Sequence, residues 1–354
     1  MVGAYWRGIY PPFAYSAKPC TDYFPVFFYH QARKEEFDTH LRYLLDNGYE
    51  AVTGDEVVKR LGGQVLRRTH EVMLTFDDGL ASLYEEAFPL LVQYRMRAVA
   101  YIVPAWIGQP GFLTWDQVRK MHESGHVDFQ SHSNAHNRIV SYLEVRDIWL
   151  RRTPADLPWG LPGIERWYLE RPREWLPILS GASLFEDVPA KIMPAEFWNE
   201  CLEIGLSKEV NGQALKEHAR RALELHRVGV IEELPADRFL RMKRSLEDSM
   251  NNIEAKLPGH RVRHFAFPWS KSSALAWRAL ADTGFLSGAI GLEPAHESGE
   301  GRASVMRILR VNGDYCLCLP GKGRRTFLRV TAAKALRRLT GTSVYGPGLE
   351  GSNR

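Results

Sequence analysis

The most constraining feature of this sequence is an apolar run that stops at two adjacent carboxylates. Residues 71–76 are rich in strand-forming side chains, and Asp77, Asp78 and Gly79 follow them directly. This pattern predicts a buried strand that ends in a tight turn. Neighbouring carboxylates raise one another's pKa unless a cation lies beside them. The pattern alone leaves two interpretations open, a polar turn after a strand and a cation-binding site.

A second polar cluster follows another predicted strand. Apolar and polar residues alternate over 127–130, and His132 and His136 come next, four positions apart. Histidines at this spacing lie on one face of a helical turn, so both rings can reach one metal ion. With an aspartate from the other strand end they form a two-histidine, one-carboxylate set that leaves positions open for water and substrate. This is the donor set of a catalytic metal site and not of a closed structural one.

Predicted strands and helices alternate along much of the chain. Strand patterns at residues 24–30 and 98–103 are separated by helical spacing, as in the helix predicted to begin after Thr114. Such alternation predicts a parallel sheet with helices outside it. Polar groups at the carboxyl ends of several strands fit a barrel of the (β/α) type.

Three motifs resemble one known family. Residues 75–79 (TFDDG), 131–136 (SHSNAH) and 265–270 (FAFPWS) are similar, in the same order, to the motifs of the polysaccharide deacetylases with a NodB homology domain, carbohydrate esterase family 4. The third match is loose. The resemblance spans residues 24–313 with a long interruption, and it implies an α/β fold, a distorted or incomplete (β/α) barrel. Helical spacing in the later part of the interruption predicts a largely helical insertion.

The interruption and the termini suggest a division of the chain. We expect an irregular segment at residues 1–22, a deacetylase barrel built from 23–138 and 235–313, an insertion at 139–234 that acts as a lid or subdomain, and a basic appendage at 314–354. Tryptophans of the insertion could stack on sugar rings or form its own core, and we favour the core. An oligomer contact is a further alternative. The tryptophans in its first, proline-rich part are Trp149, Trp159, Trp167 and Trp175.

The resemblance implies a metal site. Its ligands would be Asp78, His132 and His136, holding a divalent ion, foremost Zn²⁺, with Co²⁺ or another first-row ion as alternatives. A metal ion lowers the pKa of water and polarises an acetamide carbonyl. Asp77 would be the general base. A backbone N–H near Trp269, after Pro268, would help to hold the oxyanion.

Two expected parts of the family's site are not found in the sequence. Family members often use a histidine from a late Leu-His-Asp-like motif as general acid, and no such motif is present. His30, at the end of a predicted strand, is our choice for this role. His296, on a late loop, is an alternative, and His264 is disfavoured because it begins a strand. The arginine that usually steadies the base is also not visible in residues 265–270.

These residues predict a metal-dependent hydrolase that removes N-acetyl groups, or N-formyl groups, from amino sugars of a glycan or glycan precursor. An O-deacetylase would use the same water and oxyanion chemistry on an ester. A catalytically silent glycan-binding protein on the same fold is an alternative from another class, favoured by the missing acid motif.

Composition and charge bear on the compartment and on partners. The chain has 354 residues, 45% hydrophobic residues and four cysteines, which we interpret as reduced thiols of a cytoplasmic protein. No secretory signal and no run of about 18 apolar residues is seen. The net charge is +4, and no nucleic-acid-reading motif is present.

Basic residues are concentrated near the C-terminus. A solvated helix face is the favoured interpretation. Contact with anionic lipid head groups, or with an anionic glycan, is the functional alternative. The residues concerned are Lys322, Arg324, Arg325, Arg329, Lys334, Arg337 and Arg338.

Overall fold

A computed structural model of the chain describes residues 10–17, 23–64, 70–150, 175–204, 211–292 and 305–339. Strands and helices alternate within these residues. The strands are β1 (Val26–Tyr29), β2 (Glu50–Ala51), β3 (Glu71–Asp78), β4 (Ala98–Ile102), β5 (Val127–Ser131), β6 (Arg138–Leu150), β7 (Trp175–Ser183), β8 (Lys191–Ile192), β9 (Ile231–Glu232), β10 (His264–Ala266), β11 (Ser287–Gly291) and β12 (Met306–Asn312). The α-helices are α1 (Lys34–Asp46), α2 (Gly54–Leu61), α3 (Phe88–Tyr94), α4 (Trp115–Glu123), α5 (Ala195–Leu202), α6 (Gly212–His226), α7 (Pro235–Lys256), α8 (Ala274–Thr283) and α9 (Phe327–Leu339).

Seven parallel strands among the described residues close into a barrel in the order β1, β12, β11, β10, β5, β4, β3. β1 closes the ring because it pairs with both β12 and β3, with Phe27 opposite Val311 on one side and Leu74 on the other. The short β2 pairs with the first residues of β3, ahead of the segment that pairs with β1. The predicted (β/α) barrel is therefore confirmed.

The barrel has a core on each side of its sheet. Every residue of β3 is buried, because other interior side chains cover one face and helices cover the other. The helices begin where the sequence predicts: Thr53 and Thr114 each form a capping box at the start of α2 and α4. A buried cluster that draws on six of the barrel strands comprises Phe24, Val26, Val52, Val57, Met73, Val99, Tyr101, Ala266, Ala289 and Ile308.

Among the described residues of the insertion, the helices lie in its later part. In its first part, β6 and β7 pair as an antiparallel hairpin, so that the expectation of a largely helical insertion needs correction. The pairing shifts register near Val140, Tyr142 and Val145, and these irregularities break the period-two pattern by which a strand is recognised. Pro177 lies within β7 opposite Ile148, although proline usually marks the end of a strand.

The hairpin and helices α5 and α6 share a hydrophobic cluster of their own. Trp175 and Trp198 are buried in it and Trp149 packs against it, as expected for core tryptophans. Trp159 and Trp167 lie outside the described residues. The cluster includes Val140, Val145, Leu176, Leu179, Met193, Phe197, Cys201, Leu215, Ala219, Ala222 and Leu223. The role of the insertion as a lid or subdomain stays a prediction.

The segment after Gly313 packs on the barrel. Residues 315–319 are buried in the main hydrophobic core, and several basic side chains of the tail make internal contacts. Arg324 donates to the carbonyls of Cys318 at 2.9 Å and Phe13 at 3.1 Å. Arg337 bridges Glu36 and Asp314. Within the described residues, no helix is long and apolar enough to cross a membrane.

Gly313 allows β12 to leave the barrel beside the aromatic end of β1. The ring of Tyr29 packs against Phe37 and Phe76, with 5.2 Å between centroids in each case. A Cβ atom at position 313 would overlap that ring. Only glycine therefore fits at this crossing without moving a core side chain.

Gly313→Ala should destabilise the fold by about 1–3 kcal/mol, because a rigid aromatic ring must move to admit the methyl group. Thermal unfolding measures the effect, and we expect the Tm to fall by at least about 2 °C. Gly212→Ala is the matched control, since its Cβ would meet only the flexible Ile148 side chain, at 3.4 Å. Equal Tm values for the two variants would contradict the prediction.

Candidate metal centre

The predicted site residues come from the carboxyl ends of different barrel strands. Asp77 and Asp78 end β3, His132 directly follows β5, and His30 directly follows β1. The carboxyl ends of parallel strands lie at the same end of a barrel, so the side chains converge there. Asp78 has a φ of 72° and Gly79 a φ of 81°, which is the tight turn predicted after the strand.

Asp78, His132 and His136 come together as the sequence predicts. Asp78 Oδ1 lies 3.5 Å from His132 Nε2 and 3.8 Å from His136 Nε2, and all three residues are buried. One ligand atom from each residue lies within 4.8 Å of the others. The backbone between the two histidines differs from the prediction. The histidines are linked by a loop in which Ser133 and His136 have positive φ, and not by a helical turn.

Hydrogen bonds hold the His132 imidazole and the backbone of His136. His132 donates from Nδ1 to the Ala266 carbonyl at 2.8 Å, which leaves Nε2 directed at Asp78. The His136 backbone N–H donates to Ser133 Oγ at 2.9 Å, which stabilises the loop. A histidine ligand whose other nitrogen binds a carbonyl is held in one tautomer and orientation.

The three side chains fit a divalent cation. Asp78 Oδ1 is a buried oxygen that accepts no hydrogen bond from any described residue. Burial raises the pKa of the Asp78 carboxyl and lowers the pKa of both His132 and His136, so the imidazoles are neutral and able to act as ligands. A carboxylate with two neutral imidazoles suits Zn²⁺ and related first-row ions.

Asp77 is paired with an arginine that the sequence analysis missed. Arg310 Nη1 donates to Asp77 Oδ1 at 2.6 Å and Nη2 donates to Oδ2 at 2.8 Å, with both side chains almost fully buried. Burial by itself would raise the pKa of Asp77. The Arg310 charge, with a smaller effect of His132, outweighs burial and holds this pKa at about 2. Asp77 is therefore ionised at neutral pH.

Arg310 is held inside the barrel by aromatic rings. Its guanidinium lies 5.4 Å from the Phe28 ring centroid and 5.3 Å from that of Tyr101, and Nη1 also donates to Thr75 Oγ1 at 3.2 Å. We expected this arginine within residues 265–270, whereas β12 supplies it. A signal was present, because Arg310 lies on the same face of β12 as the buried Ile308, whereas the exposed Arg307 lies on the other face.

The three histidines considered as general acid lie in different places. His30 is half-buried beside Phe28 and directly follows β1, at the end of the barrel that carries Asp77 and Asp78. His264 binds Ser287 and Asp55 at the opposite end of the barrel and cannot reach the site. His296 lies outside the described residues.

Pro268 and Trp269 lie beside the metal ligands. The Trp269 ring meets His136 edge-on, with 4.1 Å between centroids, and Pro268 is buried next to it. The N–H groups of Ser270 and Lys271 donate to the carbonyls of Phe267 and Pro268. Those two donors are therefore not available to an oxyanion, and the role predicted for the backbone near Trp269 stays a prediction.

A polar cavity of about 360 Å³ lies at the other end of the barrel. It includes Ala98 and Val127, the first residues of β4 and β5. The arginines that line it form ion pairs: Arg97 with Glu56, Arg263 with Asp55 and Arg261 with Glu254. This cavity is not part of the metal centre.

Arg310→Met should lower the free energy of unfolding by about 3–5 kcal/mol, because the Asp77 carboxylate would remain buried without a partner. Adding Asp77→Asn should recover part of that loss. Urea denaturation of chelator-treated protein measures both effects without a contribution from metal.

Arg263→Met is the matched control for the loss of an arginine. Arg263 pairs with Asp55 at 2.9 Å, with side chains 47% and 39% exposed, and exposed pairs contribute at most about 1 kcal/mol. A double variant at least as unstable as Arg310→Met alone would show that the unpaired charge is not the cause.

Comparison with known proteins finds similarity to polysaccharide deacetylases, both in sequence and in structure. The sequence matches the polysaccharide deacetylase family over residues 66–153. YxkH of Bacillus subtilis (strain 168) is 32% identical over 120 residues, which are 32% of this chain and 43% of YxkH. The poly-beta-1,6-N-acetyl-D-glucosamine N-deacetylase of Escherichia coli (strain K12) is 32% identical over 124 residues, 30% of this chain and 18% of that protein. The chain thus spans less than half the length of these relatives.

Two solved structures share the fold. The BpsB deacetylase domain from Bordetella bronchiseptica has a TM-score of 0.52 at 17% identity, covering 82% of this chain and 96% of that domain. A de-N-acetylase from Aggregatibacter actinomycetemcomitans has a TM-score of 0.51 at 19% identity, covering 82% of this chain and 95% of that one. Residues 66–153 thus match the polysaccharide deacetylase family, and the barrel has the same fold as these two deacetylases.

Proposed function

We propose that this protein is a metal-dependent hydrolase that removes N-acetyl groups from amino sugars of a glycan or glycan precursor. The observation that carries the proposal is the unpartnered, buried Asp78 Oδ1 between two neutral imidazoles, directly beside a carboxylate that is already paired. The named activity of the Escherichia coli relative supports an acetylated glucosamine polymer as the substrate class.

Asp78, His132 and His136 would hold the ion. We expect Zn²⁺, with Co²⁺ or another first-row ion as alternatives, because supply as well as affinity decides which metal occupies such a site. When bound, a divalent ion polarises the acetamide carbonyl and lowers the pKa of water.

Asp77 would accept the proton that water loses as it attacks the carbonyl. The Arg310 charge keeps Asp77 ionised, and the bidentate contact fixes the orientation of its carboxylate. A carboxylate with a pKa of about 2 is a weak base. Proton transfer to Asp77 therefore depends on water that the ion has made more acidic.

His30 would donate a proton to the leaving amine. It directly follows β1, at the end of the barrel where Asp77 and Asp78 end β3. Pro268 and Trp269 would form a wall beside the reacting carbonyl, since the Trp269 ring touches His136.

Two alternatives use the same fold. An O-deacetylase would need less help at the leaving group, because an alkoxide leaves more readily than an unprotonated amide nitrogen does. A catalytically silent glycan-binding protein would bind sugar without turnover, and the missing Leu-His-Asp motif is the observation in its favour.

The compartment and any membrane contact stay predictions. We place the protein in the cytoplasm. Lys322 and Arg329 are exposed in the C-terminal segment, so this tail could supply a peripheral contact with an anionic membrane.

Purified protein should contain about one zinc or similar ion per chain and release acetate from N-acetylated glycans. His132→Ala/His136→Ala should lose the metal, because two of three ligands are removed. Asp77→Asn should keep the metal and lower kcat by about 10²–10⁴-fold, the usual contribution of a general base.

Elemental analysis and acetate release measure these effects. A protein that binds no metal even when zinc or cobalt is supplied would contradict the proposal. Metal and glycan binding without turnover, unchanged in Asp77→Asn, would support the silent binder.

His30→Gln should slow hydrolysis of an N-acetylated amino sugar by about 10²–10⁴-fold while metal content stays the same. Hydrolysis of 4-nitrophenyl acetate should change much less, since its leaving group needs no proton. His126→Gln, a half-buried histidine at the other end of the barrel, is the matched control. Equal losses on both substrates would contradict the general-acid role.

A further inference from the structure

The loop after β10 has an unusual backbone conformation. Trp269 (φ 53°, ψ 15°) and Ser270 (φ 57°) are consecutive residues in the left-handed region, which is unfavourable for side chains with a Cβ. Such conformations persist only where the surroundings hold them, and they concentrate at functional sites. Ser270 is held through its Oγ, which accepts the Gly291 N–H at 2.9 Å.

The Trp269 ring is held between a candidate metal ligand and the insertion. The His136 ring meets it edge-on at 4.1 Å between centroids and at an angle of 61°. The guanidinium carbon of Arg138 lies 4.5 Å from the ring centroid. Arg138 is the first residue of β6, so the insertion hairpin contributes directly to the wall of the site.

The other end of the hairpin is anchored to the same segment. Phe185, two residues after β7, packs against Phe265 at 5.1 Å and against Phe267 at 5.7 Å between centroids. Its carbonyl accepts the Ser273 hydroxyl at 2.9 Å. The two ends of the hairpin thus bracket the loop that carries Trp269.

We propose that Arg138 is a positioning residue, which fixes the Trp269 ring against His136 and so makes the insertion hairpin part of the active site. Its catalytic consequence rests on the proposed function, whereas its effect on the Trp269 ring does not. A guanidinium over an indole face is attracted by the ring quadrupole, and this attraction requires a cation. Methionine keeps much of the length of arginine but lacks the charge, and lysine keeps the charge.

The first test observes the ring itself. Zinc-supplied, full-length protein labelled with 5-fluorotryptophan should show signals from ten tryptophans, and Trp269→Phe identifies that of Trp269. Arg138→Met should shift or broaden this signal, and Arg138→Lys should preserve it more closely. Arg146→Met, which removes an exposed arginine from the same strand, should leave it unchanged. An unchanged Trp269 signal in Arg138→Met would overturn the proposal, whether or not the protein is an enzyme.

The second test observes turnover. Arg138→Met should lower kcat by about ten- to a hundredfold with unchanged metal content, the size of effect that follows misplacement of a site residue. Arg138→Lys should recover most of the rate. In a Trp269→Leu background, Arg138→Met should lower kcat less than about twofold further, because its effect passes through the ring.

If the loss of kcat in the double variant equals the product of the losses in the two single variants, Arg138 acts independently of Trp269. That result would overturn the proposal. If wild-type protein releases no acetate, the proposed function fails and the fluorine signal still decides the role of Arg138.

Discussion

Asp77 and Asp78 are consecutive buried carboxylates, and their surroundings differ. Asp77 has a permanent partner, because Arg310 is part of the chain and pairs with both of its oxygens. Within the described part of the chain, Asp78 lies beside two imidazoles and has an oxygen that accepts no hydrogen bond. Two adjacent carboxylates would otherwise share protons and titrate together. Because Arg310 belongs to the chain, Asp77 stays ionised without any cation beside Asp78.

The sequence predicted the parts of the site that depend on local pattern. Apolar runs that stop at polar residues correctly located the ends of β3 and β5, and so brought Asp78 and His132 together. Arg310 escaped prediction because its partner lies 233 positions away, and no local pattern reveals which distant side chain a strand will meet. The β6–β7 hairpin was not predicted, for another reason. Its register shifts break the alternation by which strands are recognised.

The backbone around the metal centre carries unusual conformational strain. Positive φ values occur at Asp78, Ser133, His136, Trp269 and Ser270, and each costs about 1–2 kcal/mol for a residue with a Cβ. Hydrogen bonds from the loop and the packed aromatic rings offset part of this energy. Local sequence preferences rarely indicate a positive φ at a residue other than glycine. For this reason the two histidines were expected on a helical turn.

Because Arg310 lies on β12, the last strand of the barrel in the sequence, Asp77 has no partner until that strand has folded into place. β1 pairs with both β3 and β12, so the ring of strands stays open until β12 is in place. During translation, β3 leaves the ribosome before β12 has been synthesised. At that stage Asp77 has no arginine partner, and the open sheet has two unpaired strand edges. Completion of the barrel and pairing of Asp77 with Arg310 are therefore a single late event. A chain interrupted before β12 would have neither a closed ring of strands nor a partner for Asp77.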